Sequence, residues 1–247
     1  MEIISPLIQP TIKNLIAERA QETILPTDLP GLVSWYDASD DSSITTIGGR
    51  VSQWSDKSGN GWHLTQSTST LRPLKANRRL FFDNGVSPGT FTYLENLSFG
   101  GLSNLNSFTI IMLCYATSYA VPRQNQVAIG MSQAGANLIC GLSDIDAIFF
   151  FKADVASVTP PPSTTTPQVY VAWRDRPGNQ HRCELDAQSN TVAATDTGFS
   201  SSTVNFFMSN NTLSGSFLGY MYQVIIYDRP LTPAELSDLR AFLNSKR

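Results

Sequence analysis

From Leu32 onward the apolar residues of this chain recur at every second position, in short runs cut by Gly, Asn, Asp and Ser, and this period of two limits the fold more than any other feature. A strand sends successive side chains to opposite faces, whereas a helix needs apolar steps of three and four. The pattern predicts strands at 32–36, 51–54, 63–65, 80–82, 92–95, 108–116, 126–130 and 138–142, then at 147–151, 169–173, 182–185, 204–208 and 217–227. Turn-forming clusters fall between them, among them Gly48-Gly49, Ser58-Gly59-Asn60-Gly61, Pro177-Gly178-Asn179 and Asn210-Asn211. With no helix between the strands, a βαβ fold is excluded, and an all-β, two-sheet antiparallel sandwich is expected over residues 31–247. The Pro- and Thr-rich tract at 159–167 cannot join a ladder and is expected as an extended surface loop.

The two ends depart from this pattern. In residues 1–30, Pro6, Pro10, Pro26 and Pro30 bracket one helical stretch, with Ile12, Leu15, Ile16 and Ala20 on one face. So short a helix needs its apolar stripe covered. Its own domain can supply that cover, but the expected reading of residues 1–30 is an assembly arm whose Ile12, Leu15 and Ile16 dock on another copy or another protein. At the C-terminus, Thr232-Pro233-Ala234-Glu235 is a capping box with Pro at the first helical position. Leu236, Leu239, Phe242 and Leu243 follow as one stripe, and Lys246-Arg247 are placed to complement the helix dipole.

Composition bears on partners. The chain has 247 residues with 17 Lys+Arg against 20 Asp+Glu, a net charge of −3, so it lacks the basic footprint of a nucleic-acid binder. No apolar run is long enough to span a bilayer, and the opening Met1–Pro6 lacks the basic and apolar regions of a secretory signal. Three cysteines at 114, 140 and 183 are expected as buried free thiols. His63 and His181 are the only histidines, too few for a His-based metal cage. They are expected in packing or surface roles, with His181 in an exposed turn.

Several segments, in order, resemble concanavalin A-like, laminin-G-like domains, including those of bacteriophage virion proteins. The closing stretch 215–232, with Phe217, Gly219 and Tyr227-Asp228-Arg229-Pro230-Leu231-Thr232, is similar to the final strand and helix entry of that family. Leu80-Phe81-Phe82-Asp83 with Tyr93-Leu94, and Ser107-Phe108-Thr109-Ile110, resemble two of its strands. Leu29-Pro30-Gly31-Leu32-Val33-Ser34-Trp35, together with Trp54-Ser55-Asp56-Lys57-Ser58-Gly59-Asn60-Gly61, is similar to the opening of phage and bacterial members. The resemblance implies a jelly roll, a fold shared by lectins, glycosidases and virion proteins.

Candidate chemistry is thin in the sequence. Glu184-Leu185-Asp186-Ala187-Gln188 resembles the E-x-D-x-E strand of laminarinase-like glycosidases, but Gln188 stands where the second Glu is needed. A strand leading into a turn is the preferred reading, and the chain is expected not to be an enzyme. Trp62, Tyr115, Tyr119 and Asn137 are candidates for a sugar-stacking patch, since rings bury a pyranose face and amides hold its hydroxyls. Asp144 and Asp146, or Asp40 and Asp41, are candidate Ca²⁺ ligands, against the plainer role of turn formers. No other cofactor is expected. The expected function is a virion structural protein, for capsid decoration or tail, with further copies of itself in a homo-oligomer and other virion proteins as partners. The alternatives are a glycan-binding module that meets a cell-surface glycan and, disfavoured, a glycoside hydrolase or lyase.

Overall fold

The computed structural model describes residues 24–83, 91–100, 102, 107–117, 126–133, 136–143, 146–151, 154–159, 162–195, 204–208 and 217–247. The expected arm helix with Ile12, Leu15 and Ile16 lies outside the described residues. Just before the first strand, Pro26 is buried and its carbonyl accepts a hydrogen bond from Tyr227 Oη at 2.9 Å.

The strands are β1 (Leu32–Asp37), β2 (Ile44–Ile47), β3 (Arg50–Trp54), β4 (Leu64–Thr65), β5 (Leu74–Ala76), β6 (Arg79–Phe82), β7 (Leu94–Phe99), β8 (Phe108–Ala116) and β9 (Gln126–Gln133). They continue as β10 (Ala136–Leu142), β11 (Ala147–Phe151), β12 (Asp154–Val158), β13 (Gln168–Asp175), β14 (Gln180–Leu185), β15 (Gln188–Ala193), β16 (Val204–Met208) and β17 (Gly219–Tyr227). One α-helix among the described residues, α1 (Pro233–Asn244), follows β17.

Every residue of β8 is buried, because this strand is covered on both faces; its sequence accordingly reads as a continuous apolar run instead of an alternation. β17 is β8's antiparallel neighbour and pairs on its other side with β1 and β6. From β8 the ladder runs through β13 and β14 to β15. From β6 it runs through β5 to β3, which also holds β2 and β4. It continues from β4 through β7, β16, β9, β10 and β11 to β12.

The all-β, antiparallel character is as expected, but the division into two separate sheets is corrected. The described strands form one connected 17-stranded sheet. That sheet curls until its ends meet. Asn190 Nδ2 of β15 donates to the Ser157 carbonyl of β12 at 2.9 Å, and the Thr195 N–H donates to Asp154 Oδ2 at 2.7 Å. Side chains, not a backbone ladder, close this seam, and the outline is nearly that of a barrel.

Two apolar clusters lie on opposite faces of the sheet. The inner one gathers Tyr36, Trp54, Phe82, Phe99, Phe108, Phe149 and Phe206 with the aliphatic residues between them. The outer one gathers Trp35, Ile111, Val171, Tyr222, Ile225 and Tyr227 beneath Leu236, Leu239, Phe242 and Leu243 of α1. A bulge in β17 between Met221 and Gln223 shifts its phase. Tyr222 before it and Ile225 and Tyr227 after it therefore all join the outer cluster. Cys114, Cys140 and Cys183 are free and buried, as expected.

The capping box forms as read. Thr232 Oγ1 accepts from the Glu235 N–H at 3.3 Å and Glu235 Oε2 accepts from the Thr232 N–H at 2.8 Å. Arg229 grips the same carboxylate through two nitrogens at 2.6 and 3.0 Å. Lys246 and Arg247, expected to complement the dipole, lie beyond the last helical residue and pair elsewhere. Lys246 sits over the Phe242 ring and 3.8 Å from Asp37, while Arg247 bonds Asp186 at 3.0 Å.

The hydrogen bonds from Arg229, against a smaller cost of burial, hold the Glu235 carboxyl down to about 2 from the ordinary 4.5. A depressed carboxylate contributes stability that is complete above the unfolded-state value and is lost as the pH falls toward the folded-state value. Urea midpoints of the wild type should therefore drop between pH 4.5 and 2. Glu235→Gln should show a shallower drop over the same window. Asp40, held at about 2 chiefly by its hydrogen bond from Lys57, supplies a further part that the variant retains. Equal slopes in the two proteins would contradict this account.

Candidate functional site

β13 and β14 set Trp173 opposite Arg182 and Val171 opposite Glu184. Residues two apart on a strand share a face, so Val169, Val171 and Trp173 stand beside Arg182 and Glu184 on the outer surface. The inward neighbours Cys183 and Leu185 belong to the inner cluster. Helix α1 lies across this face and leaves a groove along β14. The groove comprises two adjoining cavities of about 500 and 340 Å³ whose walls share Arg182, Glu184 and Arg240.

The smaller cavity has a ring and an apolar wall: half-buried Trp173, with Leu231, Pro233 and Leu236. The larger is polar, lined by Asp186, Ser189, Asn244 and Arg247. Glu184 is 6% exposed and fixed between two guanidinium groups: Arg182 Nε lies 2.6 Å from Oε1, and Arg240 of α1 donates to Oε2. Asp186 is a turn residue with φ +48°, held by the Val169 N–H at 2.9 Å and by Gln168 Nε2 at 3.0 Å. Three guanidinium groups thus face two carboxylates along the groove, leaving one net positive charge and an excess of donors. A flat ring beside fixed donors and acceptors suits a ligand with an apolar face and many hydroxyls.

The Glu184–Gln188 segment does not lie along one strand. β14 ends at Leu185, the chain turns at Asp186-Ala187, and exposed Gln188 opens β15 opposite Leu185. The strand-into-turn reading therefore holds for this segment. The groove itself went unread in the sequence, where Trp173 looks like core and Arg182 and Arg240 look like ordinary solvated charges.

Of the sugar patch expected from the sequence, the two rings among the described residues lie on opposite faces of the sheet. Trp62 packs against the inner cluster, with its ring 5.3 Å from Phe99. Tyr115, 8% exposed, belongs to the outer cluster on the other face. Asn137 lies on β10 opposite Ser132, and Tyr119 is outside the described residues.

Of the candidate calcium ligands, Asp144 is also outside the described residues. Asp146 accepts from the Ser143 hydroxyl while its own N–H bonds Ser143 Oγ at 3.1 Å, which is a turn former's part. Asp40 and Asp41 pair with Lys57 and Lys75 at 2.5 and 3.0 Å. No group of three or more His, Cys, Asp or Glu side chains suited to a metal occurs among the described residues.

His63 Nδ1 accepts the Asp56 N–H at 3.1 Å, a packing role. The expected exposure of His181 is corrected. It is fully buried in β14, where its Nε2 accepts from Arg174 Nε at 3.1 Å, because pairing with β13 and β15 extends that strand to Gln180. Burial pushes the Cys114 and Cys183 thiols up to about 12, so neither is a thiolate near neutral pH.

Several solved structures share this fold. A sialidase from Trypanosoma rangeli, in complex with sialic acid, matches with a TM-score of 0.60 at 15% identity, over 94% of this chain and 38% of the sialidase. The binding domain of Paraclostridial Mosquitocidal Protein 1 matches at 0.61 and 11% identity, over 87% of this chain and 52% of that one. Domain 4 of AbnA, a GH43 extracellular arabinanase from Geobacillus stearothermophilus, in complex with arabinotriose, matches at 0.58 and 13% identity, over 84% of this chain and 97% of the domain. No protein-family model matches the chain, and no curated protein matches it by sequence.

At such identities the likeness is one of fold, and the chain spans 38% of the sialidase's length. The expectation of a chain apart from enzymes is nonetheless corrected, since this fold occurs within glycosidases. These similar structures give the expected virion setting no support.

Proposed function

We propose that this chain is a glycan-binding domain of the concanavalin A-like type, with the saccharide held in the groove under α1. The observation that carries this reading is the half-buried ring of Trp173 beside Arg182, Glu184 and Arg240 in one concavity. A pyranose or furanose ring lays its C–H face on the indole, and its hydroxyls meet the carboxylate and the guanidinium groups. Two of the structures with this fold hold saccharides, sialic acid and arabinotriose, and a third is a binding domain. The curled sheet with one C-terminal helix supports the concanavalin A-like assignment. The virion setting expected from the sequence has no observation behind it and is left aside.

The test is calorimetric titration with a panel of neutral and acidic oligosaccharides, arabinotriose and sialic acid among them, with turnover of each followed in parallel. At least one saccharide should bind, and Trp173→Ala should weaken it at least about tenfold, since a well-packed aromatic anchor dominates such interfaces. The melting temperature should fall little, because this ring is only half buried. Absence of binding across the panel, or wild-type affinity in Trp173→Ala, would remove the groove as a glycan site.

A further inference from the structure

A second cluster lies on the same outer face, where β6, β17 and β8 run side by side. The Arg79 guanidinium sits 4.1 Å from the centre of the Tyr220 ring and 5.7 Å from that of Tyr222. Its Nη1 donates to Tyr222 Oη at 2.7 Å and to Tyr115 Oη at 3.4 Å. Phe81 stacks on Tyr220 with ring centres 4.7 Å apart, and Tyr115 lies 5.2 Å from Tyr220. The cation has no carboxylate within ion-pair distance among the described residues, and its Nε–H, shielded from solvent, has no acceptor there.

The direction of these bonds decides what the cluster can bind. Each phenol oxygen accepts from Arg79, which leaves each phenol proton free to donate. Arg79 itself has no acceptor atom and keeps donors to spare. Burial pushes the Tyr115 phenol up, against the pull of Arg79, so the proton stays in place at neutral pH. Among the described residues the result is a convergence of donors with no matching acceptor, around a positive charge with no carboxylate beside it, next to half-buried Phe81 and Tyr220 rings. A neutral sugar offers hydroxyls that both give and take. A ligand that only takes, and carries negative charge, completes the set.

We propose that Arg79, Tyr115 and Tyr222 form an oxyanion site, separate from the groove under α1, that takes the carboxylate or sulfate of an acidic saccharide whose ring lies against Tyr220 and Phe81. The choice of a saccharide as the bearer of the anion rests on the glycan-binding reading; the oxyanion itself rests on the donors alone.

The test follows the Arg79 Nε–Hε resonance by NMR during titration with glucuronic acid, glucose 6-sulfate, glucose and sodium sulfate. Glucuronic acid or glucose 6-sulfate, or both, should shift it saturably, and which of them does so identifies the acid group. Glucose should not shift it. Binding read by calorimetry should weaken at least about tenfold in Arg79→Met and several-fold in Tyr222→Phe, which keeps the ring and loses the donor. Arg79→Lys keeps the charge without the planar fork and should be intermediate; it serves if Arg79→Met does not fold.

Trp173→Ala should leave this binding unchanged, so loss of the groove reading and loss of this one are told apart. Equal affinity for glucose and glucuronic acid, wild-type affinity in Arg79→Met, or a response to sodium sulfate with none to either acidic sugar would each overturn the proposal.

Discussion

Asp56→Ala should destabilise the fold by about 3 kcal/mol, although the residue sits in a loop. The 8%-exposed carboxylate takes four hydrogen bonds. Its Oδ1 accepts from the N–H groups of Trp35 and Ser58, each at 2.9 Å, and its Oδ2 accepts from Ser58 Oγ at 2.7 Å and from the Trp62 N–H at 3.1 Å. These bonds pin the loop after β3 to the middle of β1 and fix where Trp62 meets Phe99. Alanine would strand backbone donors that have been removed from water, and each such donor costs about 1–3 kcal/mol. Asparagine should rescue little, because its amide would turn a donor toward a donor on one side. Urea denaturation followed by tryptophan fluorescence reads the effect. A loss below about 0.5 kcal/mol, the ordinary range for a surface change, would show that the loop is held by something else.

Gly219→Ala should cost about 3 kcal/mol or more, against the usual gain of under about 1 kcal/mol from stiffening the unfolded chain. Gly219 lies in β17 between Ala116 of β8 and Phe82 of β6. A β-carbon there would come within 2.3 Å of the Tyr115 carbonyl oxygen, 2.8 Å of Ala116 Cα and 2.7 Å of the Phe217 ring. Two of these are backbone atoms of the most buried strand, which cannot swing aside as a long side chain can. Gly48 supplies the contrast: nothing lies within 4 Å of its would-be β-carbon, and its φ of +62° alone is strained, worth about 1–2 kcal/mol. Thermal melts of the two variants side by side should separate crowding from backbone strain. A Gly219→Ala protein no less stable than Gly48→Ala would contradict the crowding argument.

The strands that the apolar pattern revealed are those with a buried face. Phe108–Ala116, Ala147–Phe151 and Val204–Met208 begin and end where their apolar runs do. Ile44–Ile47, Leu74–Ala76, Asp154–Val158 and Gln188–Ala193 were not foreseen. Ile44–Ile47 and Gln188–Ala193 are almost wholly exposed and Leu74–Ala76 is only half-buried throughout, so backbone pairing alone makes them strands and leaves little apolar signature. Asp154–Val158 does bury Ala156 and Val158, but its ends are polar. The single connected sheet was beyond reach for a related reason. Its closure depends on Asn190 and Thr195 meeting the strand at 154–158, and such polar contacts follow no period.

The candidate site is harder still to read from sequence, because Arg240 reaches Glu184 across 56 residues and only the docking of α1 joins them. One signal was available: Arg182 and Glu184, two apart, put charge on the outer face of a strand whose other face is apolar. By contrast, the motif around Asp56 was recognised by resemblance while its physical role, a carboxylate gathering backbone donors, became visible only in three dimensions.

Helix α1 closes the outer cluster with four buried side chains and also sends Arg240 into the groove. One element therefore answers to two demands that elsewhere in a protein are kept apart. Whatever settles beside Glu184 also ties down the tail of the chain, and a loosened tail dissolves the recess it borders. Occupancy and tail attachment share a single equilibrium, so a ligand at a hundred times its dissociation constant lends about 2.7 kcal/mol to holding the terminus in place.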